Sequence, residues 1–507
     1  MNPFTPHRSS QRVEQDGFPQ VLRAEWTKFR TVRGWVLAMA ASVLVTVSLG
    51  LLIAGGAHSA CVTGKGEGPC PAPLVGPDGT AVNDRYYFVH QPLKGNGSIT
   101  ARVSDMTGQI RLPDVVPGVR KVEEGVVPWA KAGLLVRPSL KQGTPYAAVM
   151  LTGAHGVRMQ HNYIHDVPGG PHNGPQWLRL TRSGDTITGY ESDDGKRWTE
   201  VSTVKLTGLP ETVEIGLFAA SPGVLWEMAQ AFAQVTATFD QIKLQGANGS
   251  WRRDDVGVVM ESDGKTPHHP GGVVESGDKL LVTGVGDIGP ATVGGGLRAD
   301  LMLIGGVVGL IPVLVAAVMF FTAEHRRGLI GTGLPAEPHP ARLLAAKAAV
   351  VGAVAFVAGL VTSGVVVPVG LAMLRANQNP IQPITLGTEL RVIIGYAALT
   401  AAAAVLALGL AALVQRAVVA IGLAIGLVVV PYLLATAGLA PWLLVITPAA
   451  GFAITQSVPT FAHVDVNMSL LGSYYPLPPW AGLAVTCAYA ALALGAAIAA
   501  HRRKVPS

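Results

Sequence analysis

The run WVLAMAASVLVTVSLGLLIAGGA, Trp35 to Ala57, decides how this chain is read. It carries no charge over 23 residues, enough for a helix to cross a hydrocarbon layer ~30 Å thick. A cleaved export signal has a shorter leader and an apolar core of about 7–15 residues. The following His58-Ser59-Ala60-Cys61 lacks the aliphatic residue that a lipoprotein cleavage box sets before its cysteine. The run is therefore expected to stay in place as a signal anchor.

Five further runs have the same character: Leu301–Thr322, Ala348–Leu374, Val392–Val414, Ala417–Leu439 and Trp480–Ala500. They explain why only 14% of the 507 residues are charged, against roughly 25% in ordinary soluble proteins. That composition excludes a disordered chain, which needs high charge and few apolar residues. The reading is an α-helical polytopic membrane protein with six transmembrane helices. Lysine and arginine near the span ends set the orientation. Arg23, Lys28, Arg30 and Arg33 precede the first span, Arg326, Arg327, Arg342 and Lys347 lie between the second and third, and Arg416 lies between the fourth and fifth. Arg502, Arg503 and Lys504 follow the sixth. Six spans put all of these on one side, so both termini are expected in the cytoplasm and the protein in the plasma membrane. Arg375 and Arg391 oppose the rule. The net charge of +6 follows from these anchors, and no nucleic-acid partner is expected.

The expected division is a cytoplasmic segment 1–34, span 35–57, an external block 58–298, spans two to six over 299–501, and a tail 502–507. The block 58–298 reads as β. Ser98–Val103, Ala132–Val136, Ala147–Leu151, Trp177–Leu180, Thr186–Tyr190, Val213–Phe218 and Thr236–Phe239 are short strand-like runs bounded by Gly, Pro, Asn and Asp. They suggest an antiparallel sandwich over about 80–245. Thr186–Tyr190 and Arg197–Val201 read as a hairpin turning at Asp193-Asp194-Gly195. Residues 251–298 are Gly-rich and read as a few more strands or a stalk. Residues 440–479 open with an apolar stretch broken by Pro441 and Pro448, suggesting a short re-entrant or surface helix pair.

Chemistry-bearing motifs are scarce. No Asp, Glu, Lys, Arg or His lies well inside a span, whereas secondary transporters usually place charges at membrane depth. Gly264-Lys265-Thr266 resembles the end of a P-loop, but Val259 stands where the earlier glycine is required. Gly284-Val285-Gly286-Asp287-Ile288-Gly289 fits a dinucleotide fingerprint, yet Pro290 and more glycines follow instead of a helix. His161, His172, His268 and His269 show no zinc-site spacing, and the adjacent carboxylates Glu123/Glu124 and Asp193/Asp194 read as solvated turns. No cofactor, metal or catalytic residue is assigned. Trp129, Trp177, Tyr190 and Trp198 are candidate glycan contacts through their flat faces, with core packing the competing role. Cys61 and Cys70 close a small loop if their side is oxidising, and are otherwise free thiols.

Two segments on the cytoplasmic side stand out. In Leu22–Arg33, Leu22, Trp26, Phe29 and Val32 fall at helical spacing with charges on the other face, as in an amphipathic helix lying in the interface. In Phe321–Lys347, a charged helix end carrying Glu324, Arg326 and Arg327 leads through a Pro/Gly turn to Arg342 and Lys347. These segments, A-E-W-T-K-x-R-T-V-R and T-A-E-x-R-x-G-L-I followed by A-R-L-L-A-A-K, resemble the membrane subunit of type-2 ABC exporters. The resemblance covers residues 18–57 and 300–501. It implies a coupling loop over 323–347 and re-entrant helices between spans five and six. It also implies a separate cytoplasmic ATPase holding ATP and Mg, and a pair of membrane subunits, either two copies or one with a similar partner. ATPase docking then falls to Glu25, Trp26, Lys28, Arg30, Glu324, Arg326, Arg327, Arg342 and Lys347. The family's Pro-Arg-Arg-like element is replaced by Pro338-His339-Pro340-Ala341-Arg342.

The external block has its own resemblance. Trp129–Arg137, Trp177–Arg182 and Ser192–Trp198 are similar to a jelly-roll, concanavalin A-like sandwich of the kind appended to carbohydrate-active enzymes. The Glu-x-Asp-x-x-Glu strand of the glucanases is absent, so no enzyme activity is implied for this chain. The expectation is an exporter permease whose sandwich captures or gates substrate, or binds glycan. The alternative is a membrane-anchored glycan-binding or sensor protein.

Overall fold

The computed structural model describes residues 17–63, 66–112, 121–171, 174–226, 229–247, 249–261, 263, 265–291, 295–326, 340–464 and 474–502. Among them, six helices are long and apolar enough to cross a membrane. A helix α1 (Phe18–Thr31) comes first, and the six spans are α2 (Arg33–Gly56), α3 (Gly306–Arg326), α4 (Pro340–Ala376), α5 (Leu386–Val414), α6 (Ala417–Thr436) and α8 (Pro479–Arg502), with the short α7 (Leu443–Ile446) before the last. Each span lies where the charge-free runs place it. At 1.5 Å per residue α4 is roughly 55 Å long, so its ends pass beyond a ~30 Å core and carry Arg342, Lys347 and Arg375 there.

Small residues let these helices approach closely, as expected where lipid tails are as apolar as leucine. A Cβ added to Gly309 of α3 would lie 1.9 Å from Thr46 Oγ1 of α2. Ser42 Oγ donates to Gly309 O at 2.6 Å, joining the same two helices. The segment between α6 and α8 also enters the bundle. Its described residues include α7, one helical turn, and a 3-10 stretch Pro448–Thr455, in the region where a short helix pair was expected; 465–473 lie outside the described residues. Every residue of the 3-10 stretch is buried. Gly482 of α8 lies against Ala450 O, and Thr486 donates to Pro448 O at 2.7 Å.

Between α2 and α3 lie twenty strands among the described residues. The first are β1 (Ala60–Thr63), β2 (Gly66–Pro69), β3 (Val82–Asp84), β4 (Tyr86–Lys94), β5 (Gly97–Arg111), β6 (Val122–Glu124) and β7 (Lys131–Arg137). Then come β8 (Ala147–Thr152), β9 (Val157–His161), β10 (His165–Pro168), β11 (Gln176–Ser183), β12 (Thr186–Ser192), β13 (Thr199–Lys205) and β14 (Thr212–Ala220). The last are β15 (Val224–Trp226), β16 (Ala229–Gln245), β17 (Arg252–Val256), β18 (Gly272–Ser276), β19 (Lys279–Val285) and β20 (Ile288–Pro290). One antiparallel sheet runs β10-β9-β8-β7-β14-β4-β17; the other runs β13-β12-β11-β5-β16-β19-β18, with β6 and β15 attached.

The two sheets enclose a core that includes Val89, Leu93, Ile99, Leu134, Leu178, Leu180, Ile215, Val235 and Phe239. β11 alternates as a half-solvated strand should, with Leu178 and Leu180 inward and Trp177, Arg179 and Thr181 outward. β7 does not alternate. All seven of its residues are buried, because the outer face of its sheet is covered by a second cluster around Tyr86, Phe88, Leu135, Tyr146 and Tyr163.

Of the two readings of 251–298, further strands and not a stalk are found: β17 extends the first sheet, β18 and β19 extend the second, and β20 pairs with β3 in a separate two-stranded sheet. The two large sheets therefore run to Val285, beyond the expected 245. On α1, Glu25 and Phe29 are buried, whereas Trp26 is 47% and Val32 38% exposed.

Candidate functional site

Glu25 of α1 faces into the bundle. Its Oε2 accepts from Lys347 Nζ of α4 at 2.6 Å, and both side chains are buried, at 1% and 2% exposure. Oε1 accepts from Lys28 Nζ at 2.7 Å. Lys347 Nζ also stands 4.6 Å from the Phe320 ring centroid of α3. Phe29 and Trp35 meet Phe320 edge-on, with centroids 5.3 and 5.0 Å away. A glutamate facing this junction buries its carboxylate only because the lysine is there. Three helices are thus fastened at one end of the bundle by one ion pair inside an aromatic collar.

Of the residues expected to dock an ATPase, Glu25 and Lys347 pair with each other inside the protein, while Trp26, Lys28, Arg30 and Arg342 are exposed. Glu324 and Arg326 lie on the last turn of α3. Arg327 and most of the coupling loop, 327–339, lie outside the described residues.

The opposite end of the bundle holds a polar cluster that orientation counting alone did not reveal. Arg298 and Asp300, at the foot of α3, form an ion pair with Nη2–Oδ2 at 2.5 Å. Asp300 Oδ1 also accepts from the Ser457 hydroxyl. Arg391, in the second turn of α5, donates to Ile454 O at 3.2 Å and Gln456 O at 2.6 Å. Those are carbonyls at the C-terminal end of the 3-10 stretch, where unsatisfied oxygens attract a cation. Gln456 Oε1 accepts from Tyr475 N, and Tyr474 lies 5.6 Å from the Arg298 guanidinium with its buried hydroxyl unpartnered. Arg391, an exception to the charge rule, was the one sequence signal for this cluster.

On the sandwich, Trp177, Tyr190 and Trp198 gather at the outer face of the β13-to-β18 sheet, and Trp129 sits apart. The guanidinium of Arg179 lies 3.9 Å over Trp198. Trp177 is backed by the turn glycine Gly195, where an added Cβ would fall 2.7 Å from the ring, and Arg102 stands 5.8 Å from its centroid. Trp129 is 5% exposed and stacks on His155 at 3.9 Å. Each indole already has a partner. The β12–β13 turn is held by Asp194, which accepts from the Lys196 and Arg197 amides at 2.8 Å; these bonds hold its carboxyl well below the usual range. Gly195 there has φ +67°. Gly286, in the expected glycine turn, has φ +87°. Cys61 and Cys70 are joined as a disulfide across β1 and β2.

No family model and no curated protein matches this chain. Among solved structures, the chain is similar over part of its length to the GH43 BlXynB protein of Bacillus licheniformis. The identity is 16%, covering 30% of this chain and 27% of that one, with a TM-score of 0.21. It is also similar to a functionally unknown protein of Saccharomyces cerevisiae, at 15% identity over 32% and 76% of the two chains, TM-score 0.18. The match therefore spans about a quarter of the Bacillus protein's length. The shared ground between geometry and sequence is a six-helix, membrane-type bundle with a large β-sandwich inserted after its first span.

Proposed function

We propose that this chain is the permease subunit of an ATP-binding cassette exporter in the plasma membrane, with both termini cytoplasmic. The observation that carries the reading is the junction of Glu25, Lys347, Phe29 and Phe320. It makes α1 and the start of α4 one rigid piece, and it leaves Trp26, Lys28, Arg30 and Arg342 facing outward. A force applied to that surface is transmitted to α3 and α4 together, as a rigid-body shift requires. ATP and Mg belong to a separate ATPase subunit docked there. The polar cluster of Arg298, Asp300, Arg391 and Ser457 then closes the outer end of the path. The paired antiparallel sheets support a concanavalin A-like sandwich that captures or gates substrate outside the cell. The sensor alternative gains no support from Trp129, Trp177 and Trp198, whose faces are partnered.

The test is reconstitution of the chain with its ATPase in vesicles. Arg30→Glu with Arg342→Glu, which leaves the Lys28–Glu25 pair intact, is expected to lower ATP-driven transport at least tenfold while expression and thermal stability stay unchanged. Unaltered transport in that variant would remove the assigned docking surface.

A further inference from the structure

The sandwich is held to the bundle where the chain crosses between them. Asn379 Nδ2 donates to Ala57 O at 2.7 Å and its Oδ1 accepts from Ser59 at 2.7 Å. On the return crossing, Leu297 N donates to Pro380 O at 2.7 Å. A third attachment lies far from both crossings in sequence. His463, beyond the 3-10 stretch, reaches the tip of the β9–β10 hairpin and donates from Nε2 to Tyr163 O at 2.9 Å. The imidazole is 3% exposed and its edge faces Trp129, centroids 6.3 Å apart. The receiving tip is stiff: Asn162 and Tyr163 both hold positive φ, and Tyr163 is fully buried with its hydroxyl on Asp84 Oδ2 at 2.8 Å.

We propose that His463 is a latch, governed by external pH, that couples the sandwich to the segment closing the outer end of the helix bundle. Neutral His463 docks and protonated His463 leaves. Its own element carries the message inward: from His463 the chain runs back through Ser457 on Asp300 and Gln456 on Tyr475 to the buried Pro448–Thr455. The inference rests on the proposed function for which side is external; the contact and its pH dependence are tested below without transport.

The electrostatics of the pocket favour the neutral ring. Burial is the largest influence and pushes the His463 pKa down; the Tyr163 carbonyl opposes it. Lys131 of β7 lowers the pKa further, whereas Asp166 of β10 and Asp287 beside β20 raise it. Lys131 is already engaged, with Nζ on Asp287 Oδ1 at 2.6 Å. Arg158 of β9 and His155 both lie against Trp129, and Arg158 is paired with Asp166. With the docked pKa below that of a free histidine (~6.5), docking is at full strength above that value. It weakens up to tenfold for each pH unit below it, until the docked pKa is reached.

A spin label on Thr460→Cys and another on Thr203→Cys, in the full chain in nanodiscs with Cys487→Ala, reads the contact by distance distribution. The expected result is one narrow distance at about pH 7.5 and a broad distribution at about pH 5. His463→Gln, whose amide still donates but does not titrate, is expected to stay narrow at both. His161→Gln, on the same hairpin, is expected to keep the wild-type transition. A wild-type distance unchanged between the two pH values overturns the latch, and so does a His463→Gln chain that still switches. If His463→Gln is broad throughout, the decision falls to the wild-type transition and its persistence in His161→Gln: both present support the latch, and either one missing overturns it.

Discussion

Glu25 and Lys347 show how far single residues were legible. Both types stood out in the sequence as charges flanking spans, and both were read as facing a partner protein. Their pairing joins positions 322 apart, and no helical periodicity carries that information. A buried pair is costly to break from one side, about 3–5 kcal/mol, but less costly to replace whole. Lys347→Met is therefore expected to lower stability by about 3 kcal/mol, toward the low end because Lys28 remains on Glu25. Glu25→Leu with Lys347→Met is expected to recover most of the loss. Thermal unfolding of the purified chain in detergent measures both, and equal losses in the single and double variants contradict the pairing. The tryptophans show the other side of legibility. Trp177 and Trp198 were visible as strand residues, but the Arg102 and Arg179 cations against them come from β5 and β11 and appear only with the register.

Elements were the most legible level, because apolar length marks spans and period-two alternation marks strands. β11 alternates and was found, and β7, β8 and β14 were found as short apolar runs; β4 and β9 were not, since His90, Gln91 and Pro92 interrupt the first and Arg158 and Gln160 the second. The edge strands β17 and β18 and the inner β19 were legible only as a few more strands or a stalk. That Glu25 of α1 faces inward was not legible, because charges usually occupy the outer face of an amphipathic helix. Its docking depends on Phe29: Phe29→Ala is expected to cost about 3 kcal/mol and to raise proteolysis within residues 18–31. Helix contact by small residues makes a second element-scale prediction. Gly309→Leu meets Thr46 of α2 and is expected to separate α2 from α3. A cysteine pair at Leu49 of α2 and Gly305, where an added Cβ falls 2.7 Å from Leu49 Cβ, in a Cys487→Ala background, then shows slower cross-linking than it does with Gly309 intact. An unchanged cross-linking rate contradicts the close packing.

At the scale of the whole molecule, the charge pattern, the six spans and the inserted sandwich form one consistent arrangement. Most of the basic span ends and the β-sandwich lie at opposite ends of the bundle, and among the described residues Asp, Glu, Lys, Arg and His are confined to its two rims. Membrane-impermeant thiol labelling in intact cells is expected to modify a cysteine at Lys205 and to spare one at Lys28; the reverse pattern contradicts the orientation. On the proposed reading, spans whose described interiors carry no Asp, Glu, Lys, Arg or His take their energy from a bound ATPase. The most direct measurement is therefore purification of the chain from its native membranes, followed by an assay of ATP hydrolysis by the material recovered. The account predicts a stably bound ATPase whose association and activity are lost in the Arg30→Glu, Arg342→Glu double variant. A chain that purifies with no ATP hydrolysis, or a bound ATPase indifferent to that variant, contradicts it.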